Sequence, residues 1–140
     1  MTEPMTGGCL CGAIRYASAV EPLMAGHCHC LDCQKRGGGG HASAFAVPKA
    51  ALTVTGSPRH YESRSDSGSA VRHAFCDTCG STLFGDSSGM PDLVTVHAGS
   101  LDDPAAFKPD MHIFTSSAQP WDPVDSSLAN FAKFPEMPGA

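Results

Sequence analysis

Three clusters of cysteine are the residues of this 140-residue chain best suited to chemistry. They are CLCG at 9–12, CHCLDC at 28–33 and CDTCG at 76–80, and together they contain all seven cysteines. An odd number of thiols cannot all pair, and clustered cysteines in an intracellular chain bind metal more often than they form disulfides. Because seven histidines are also present, zinc is the predicted metal.

Two of the clusters predict one closed site. Residues i and i+2 of an extended chain face the same side, and a tight turn brings i and i+3 together, so each cluster aims two thiolates at one point. Gly12 and Gly80 directly follow the outer pairs and permit a positive φ, which turns backbone N–H groups toward the sulfurs. These matched pairs predict a structural four-cysteine zinc site, with a disulfide or a metal-free arrangement as the alternative. Its ligands are Cys9, Cys11, Cys76 and Cys79.

Three cysteines remain, namely Cys28, Cys30 and Cys33. A zinc ion held by three protein ligands has an open position for water or substrate, which is typical of catalytic sites. A histidine could close the site instead. Strand alternation turns His27 and His29 to the opposite face, which leaves His41 as the candidate fourth ligand.

A redox role for Cys30 and Cys33 is the other interpretation of this motif. A thioredoxin-type pair requires a helix that begins at the motif within a βαβ unit, and the sequence predicts neither. The pattern therefore favours metal over redox chemistry.

Four glycines at 37–40 follow the central cluster. Such a run permits close backbone approach by a ligand, and with Lys35 and Arg36 its N–H groups could receive carboxylates. The alternative is a flexible loop without contacts. The predicted ligand-binding glycines are Gly38, Gly39 and Gly40.

The remaining sequence predicts a single mainly β domain over residues 1–140, with small antiparallel sheets and little helix. Alternating or β-branched stretches predict eight strands, at 12–18, 25–29, 44–47, 52–55, 59–62, 70–75, 82–85 and 93–98. Residues 63–69 predict a hairpin loop. Short helical turns are expected only within 101–107 and 120–131.

Composition excludes several classes of function. The formal charge of -5 and the scattered basic residues do not provide the basic surface that nucleic-acid binding requires. No apolar run reaches the length of a membrane span, and the N-terminus lacks the pattern of a signal peptide. We therefore predict a soluble, cytoplasmic protein without nucleic-acid or membrane partners.

Four segments resemble the glutathione-dependent formaldehyde-activating enzyme (Gfa-like) family. They are GGCLCGAIRY at 7–16, CHCLDC at 28–33, FCDTCGSTLF at 75–84 and the tail from 96 to 122. The resemblance implies the β-tent (Mss-four-like) fold, with small β-sheets stabilised by zinc. It also implies two zinc ions, a structural one on the outer pairs and a second one on the central cluster, with glutathione bound nearby.

The activity implied by this resemblance is that of a carbon–sulfur lyase or synthase acting on adducts of glutathione and a small aldehyde such as formaldehyde. His41 or water is the predicted proton donor. The rival hypothesis is a non-catalytic, zinc-stabilised binding module of the same fold, which predicts a fourth protein ligand on the second zinc.

We expect His97 to be a packed or surface residue. His112 and Trp121 are expected either to line a ligand pocket or, for Trp121, to anchor the core.

Overall fold

A computed structural model describes residues 5–135 and contains eleven strands and one α-helix in that range. Strands and helix follow one another as β1 Met5–Gly8, β2 Arg15–Ser18, β3 Met24–Cys28, α1 Leu31–Gly37, β4 Ala42–Pro48, β5 Leu52–Thr55, β6 Arg59–Arg64, β7 Ala70–Phe75, β8 Thr82–Ser87, β9 Met90–His97, β10 Met111–Ile113 and β11 Ala129–Asn130. Single 3-10 turns lie at Lys49–Ala51, Ala98–Ser100, Pro104–Ala106 and Thr115–Ser117. The mainly β class predicted from the sequence is confirmed.

The strands form two sheets. The smaller has the order β1-β2-β5, and the larger has the order β11-β10-β3-β4-β9-β8-β7-β6. All pairings are antiparallel except those of β10, which runs parallel to both β3 and β11. The central cysteine cluster therefore begins at Cys28, the last residue of β3, and the sheet fixes this position because β3 has neighbouring strands on both sides.

The core joins the two sheets. Ile14 and Tyr16 of the smaller-sheet region pack with Phe45, Leu83 and Val96 of the larger sheet, and all five are buried. Tyr16 and Val96 alternate with more exposed residues along β2 and β9, as in a sheet with one covered face, whereas buried residues are consecutive at 45–47 of β4 and 83–84 of β8. Apolar burial of this kind is the main contribution to stability here.

All eight predicted strands are present, with ends shifted by a few residues. The hairpin loop at 63–69 is also confirmed, since it joins the antiparallel strands β6 and β7. A helical turn occurs at Pro104–Ala106 as expected, but the one expected within 120–131 is wrong. That segment holds turns and the short strand β11, because β11 pairs with the edge of β10.

Helix α1 was not predicted, and its presence corrects the expectation that no helix begins at the central cluster. Cys30 caps its N-terminus by accepting a bond from the Cys33 N–H at 3.3 Å. Gly38 ends it in the left-handed conformation, with φ 79°, which glycine adopts at little cost. The flanking strands β3 and β4 are antiparallel, and the thioredoxin-type βαβ unit is therefore still absent from this motif.

No helix in residues 5–135 is both long and apolar enough to cross a membrane.

Candidate metal centres and substrate pocket

The outer cysteines converge as predicted. Their four Sγ atoms all lie within 4.8 Å of one another, and they belong to Cys9, Cys11, Cys76 and Cys79. The Sγ atoms of Cys9 and Cys11 are 3.6 Å apart, and those of Cys11 and Cys76 are 3.7 Å apart. These separations suit four thiolates around one tetrahedral ion.

Two matching turns bring these thiols together. Gly12 has φ 81° and Gly80 has φ 78°, while a Cβ on either residue would meet nothing within 4 Å. The backbone conformation, and not space, therefore requires glycine here. The Ile14 N–H donates to the Cys9 sulfur at 3.3 Å, the type of bond that stabilises a buried thiolate.

Ser81 supports this site and was not singled out from the sequence. Its hydroxyl lies 3.2 Å from the sulfur of Cys79 and accepts a bond from the Leu10 N–H at 2.9 Å. Hydrogen bonds from the Ser81 hydroxyl and backbone lower the pKa of Cys79 to about 5. Ser81 thus joins the two cysteine turns and favours a thiolate, the form that binds metal.

The central cluster also converges. Cys28 ends β3, Cys30 caps α1 and Cys33 lies in its first turn, with the three sulfurs within 4.8 Å of one another. Among residues 5–135, no further cysteine, histidine or carboxylate completes this set. The donors fit a soft, thiolate-binding ion such as zinc and leave it one protein ligand short of four.

The three thiols share their protons unequally when no metal is bound. Hydrogen bonds from Cys28 and Cys33 lower the pKa of Cys30 to about 2. The bond with Cys30 is the main cause that raises the pKa of Cys28 to about 12. The lowered pKa of Cys30 favours its thiolate, the form that binds metal, and metal binding releases protons from the thiols that still carry them.

A cavity of about 560 Å³ opens beside this cluster. Besides the cysteines, it is lined by side chains from α1, β7, β9 and the C-terminal segment, among them Arg36, His73, Thr95, His97, Phe114 and Lys133. A volume of this size accommodates a small peptide-like ligand. His97, expected to be packed or on the surface, is a wall residue of this cavity.

Arg36 is the cation that α1 contributes to this cavity. Its Nη2 donates to Nε2 of His97 at 3.3 Å, and within residues 5–135 it forms no ion pair with a carboxylate. Burial lowers the pKa of Arg36, and burial followed by the charge of Arg36 lowers the pKa of His97 to about 4. A half-buried guanidinium without a carboxylate is well suited to bind an anionic group of a ligand.

His41 and the glycine run lie elsewhere. His41 pairs with Asp122, the N–H of Gly38 caps α1 by donating to Gln34 O, and Gly40 packs against Asp122. None of these residues, nor Gly39, is among those that line the cavity. The structure therefore does not bring the predicted catalytic histidine or the predicted ligand-binding glycines to the central cluster.

Fold and site define a mainly β protein with one closed and one open cysteine centre, the second beside a ligand-sized cavity. Residues 4–117 match the family model for glutathione-dependent formaldehyde-activating enzymes. The chain belongs to this family, which confirms the resemblance found in the sequence. A crystal structure of a Rhodobacter sphaeroides protein, a structural genomics target, is similar with a TM-score of 0.58 at 23% identity, covering 91% of this chain and 99% of the other. At that identity the similarity shows the fold alone.

Proposed function

We propose that this protein catalyses the reversible addition of the glutathione thiol to formaldehyde or another small aldehyde, the reverse being a carbon–sulfur lyase reaction. The observation that supports this function is the three-cysteine cluster, which lacks a fourth protein donor within the described residues and faces a cavity of about 560 Å³. Family membership supports the same pair of substrates. The reaction class needs a bound sulfur nucleophile beside an enclosed space for the aldehyde.

Two zinc ions are proposed, a structural ion on Cys9, Cys11, Cys76 and Cys79 and a second ion on Cys28, Cys30 and Cys33. Zinc bound at the second set would lower the pKa of a thiol that occupies its open position. Three thiolates and one Zn²⁺ carry a formal charge of -1, which weakens Lewis acidity and favours sulfur binding over the generation of hydroxide.

The chain's own residues position the substrate. In the forward direction a carbon–sulfur bond forms, the thiol loses its proton, and the aldehyde oxygen gains one to become a hydroxyl group. Arg36 is proposed to bind a carboxylate of glutathione, since its guanidinium lines the cavity without a carboxylate partner in the described range. Water in the cavity is the proposed proton donor, because the predicted alternative, His41, does not line this space.

Zinc content and the loss of free formaldehyde in the presence of glutathione test this function. We expect two zinc ions per wild-type chain at the cysteine sites and faster adduct formation than in buffer. Cys30→Ala should lose the second ion and the acceleration, whereas His60→Gln, a change at an exposed residue of β6, should lose neither. A fully zinc-loaded protein that gives only the buffer rate would contradict the proposal. That result would favour the non-catalytic binding module.

A further inference from the structure

Four of the seven histidines form a compact group that the proposed function does not use. The imidazole rings of His27 and His29 each lie about 5 Å from those of His41 and His112, with centroid separations of 4.8, 4.9, 5.1 and 5.0 Å. We call these four residues the histidine cluster. His27 and His29 alternate with Cys28 and Cys30 along the chain, so the two groups occupy opposite sides of it.

Asp122 adds a carboxylate to the histidine cluster. Its Oδ2 lies 2.6 Å from Nδ1 of His41 and 3.6 Å from Nδ1 of His29. One donor atom from each of these three residues lies within 4.8 Å of the others. Two imidazole nitrogens and a carboxylate oxygen at such separations could contact one ion.

His29 provides a second, independent observation. Its side chain has no exposed surface, and Nδ1 has no hydrogen-bond partner in the described structure. A fully buried polar atom without a partner is rare in folded proteins and is commonly explained by a bound water or ion. This atom faces the same carboxylate that His41 contacts.

We propose a third metal site, in which His29, His41 and Asp122 bind a divalent transition-metal ion such as Zn²⁺. Nitrogen and carboxylate donors suit zinc. The negative charge of Asp122 offsets part of the positive charge of the ion, which neutral imidazoles alone would not offset. His112 contacts the second nitrogen of His29, with Nε2 of His29 and Nδ1 of His112 2.8 Å apart. Such outer contacts orient histidine ligands in metal sites.

Gly40 makes room for this arrangement. A Cβ at this residue would overlap the side-chain atoms of Asp122, and the folded chain could not accept it without moving the carboxylate. A Cβ at the neighbouring Gly39 would meet no atom within 4 Å. The glycine run therefore affects the histidine cluster through Gly40 and not through Gly39, which provides a matched pair of substitutions.

Metal binding also requires a change of tautomer. Without metal, the Asp125 N–H donates to Nε2 of His112 at 3.2 Å, so His112 carries its proton on Nδ1 and donates it to Nε2 of His29. Neutral His29 then carries its own proton on Nδ1, the atom without a partner. An ion at that nitrogen shifts the proton of His29 to Nε2, which then donates to Nδ1 of His112. The proton of His112 moves to its own Nε2, and this atom can no longer accept the bond from the Asp125 N–H.

Equilibrium dialysis of the full chain against Zn²⁺ alone tests the site, because the difference between variants does not depend on how many ions the cysteines hold. We expect Asp122→Asn and His41→Gln to bind one zinc ion fewer per chain than wild type at concentrations that saturate the wild-type protein. Gly40→Ala should behave like Asp122→Asn, whereas Gly39→Ala should bind as much as wild type. Circular dichroism identifies any variant that fails to fold.

Long-range proton–nitrogen NMR of the wild-type histidines provides a readout that needs no variant. At saturating zinc, His29 and His41 should carry their protons on Nε2, and the Asp125 amide signal should shift. Equal zinc content in wild type and folded Asp122→Asn overturns the proposal. An unchanged Nδ1–H tautomer of His29 at saturating zinc also overturns it and assigns the buried nitrogen to a water molecule.

Discussion

Arg36 donates from Nη2 to Nε2 of His97 across 3.3 Å, and this bond joins helix α1 to strand β9 at the wall of the cavity. Helix α1 carries Cys33, and β9 lies near the middle of the larger sheet. A cation held in this way is fixed relative to the thiols before any ligand arrives. Its position can therefore determine where an anionic substrate binds.

Arg36→Gln tests that role in steady-state kinetics. We expect KM for glutathione to rise roughly 10-fold or more with a smaller change in kcat, since a charge-assisted hydrogen bond contributes about 1.5 to 3 kcal/mol. Lys35→Gln is the matched control, because this neighbouring cation lies on the same helix but does not line the cavity. Equal effects of the two substitutions would indicate a general charge effect.

The free energy of unfolding should depend on the protonation of His97. Its pKa falls from 6.5 to about 4 on folding because of burial and then the charge of Arg36. Between these values the unfolded chain binds the proton and the folded chain does not, so stability decreases as the pH falls through this window. His97→Gln should reduce that slope by up to about 1.4 kcal/mol per pH unit.

Urea unfolding of wild type and His97→Gln between about pH 7 and about pH 4 measures this difference. His60→Gln, at an exposed histidine, should keep the wild-type slope. Identical slopes for all three proteins would contradict the prediction, because they would mean that His97 binds its proton equally well in the folded and the unfolded chain.

The two cysteine sites should differ in their effect on stability. Although Cys11 is exposed, Cys11→Ser should cost about 4 kcal/mol or more, because loss of a structural metal is among the largest single-residue effects. Cys30→Ser should leave most of the unfolding free energy intact while removing the second ion. Thermal unfolding with parallel zinc analysis distinguishes the outcomes, and a larger loss for Cys30→Ser would reverse the assignment of the two sites.

Gly80→Ala should destabilise the protein through its backbone alone. The residue has φ 78° and open space around a Cβ, so the expected cost is about 1 to 2 kcal/mol from the left-handed conformation. Gly80→Asn should cost less, since asparagine tolerates this conformation better. Gly99→Ala, which has open space and no positive φ, is the control in chemical unfolding experiments, and a loss there equal to that of Gly80→Ala would contradict the explanation.

Local pattern was sufficient to predict eight of the eleven strands and the grouping of the cysteines. Alternation along the chain decides which residues of a strand share a face, and the glycines after Cys11 and Cys79 report the turn that each pair requires. Helix α1 was missed because its cap is Cys30, a residue type outside the usual N-cap set, and because the glycines that follow resemble a loop. Strands β1, β10 and β11 were missed, since segments of only four, three and two residues are too short to show a periodicity.

The cavity could not be predicted in the same way. Arg36 and His97 are 61 residues apart in sequence, and the pairing of β3 and β9 with β4 brings them together. His41 was the candidate histidine for the central cluster because strand alternation excluded His27 and His29. It turns instead toward Asp122, which is 81 residues away.

The four-cysteine site also sets an order for assembly of the chain during synthesis. Its two halves are 65 residues apart at Cys11 and Cys76, and the site cannot close until the ribosome has passed Cys79. Cys28, Cys30 and Cys33 lie within six residues and are present together much earlier. The open centre is therefore the first set of cysteine ligands that the nascent chain can offer, and the closed centre is the last.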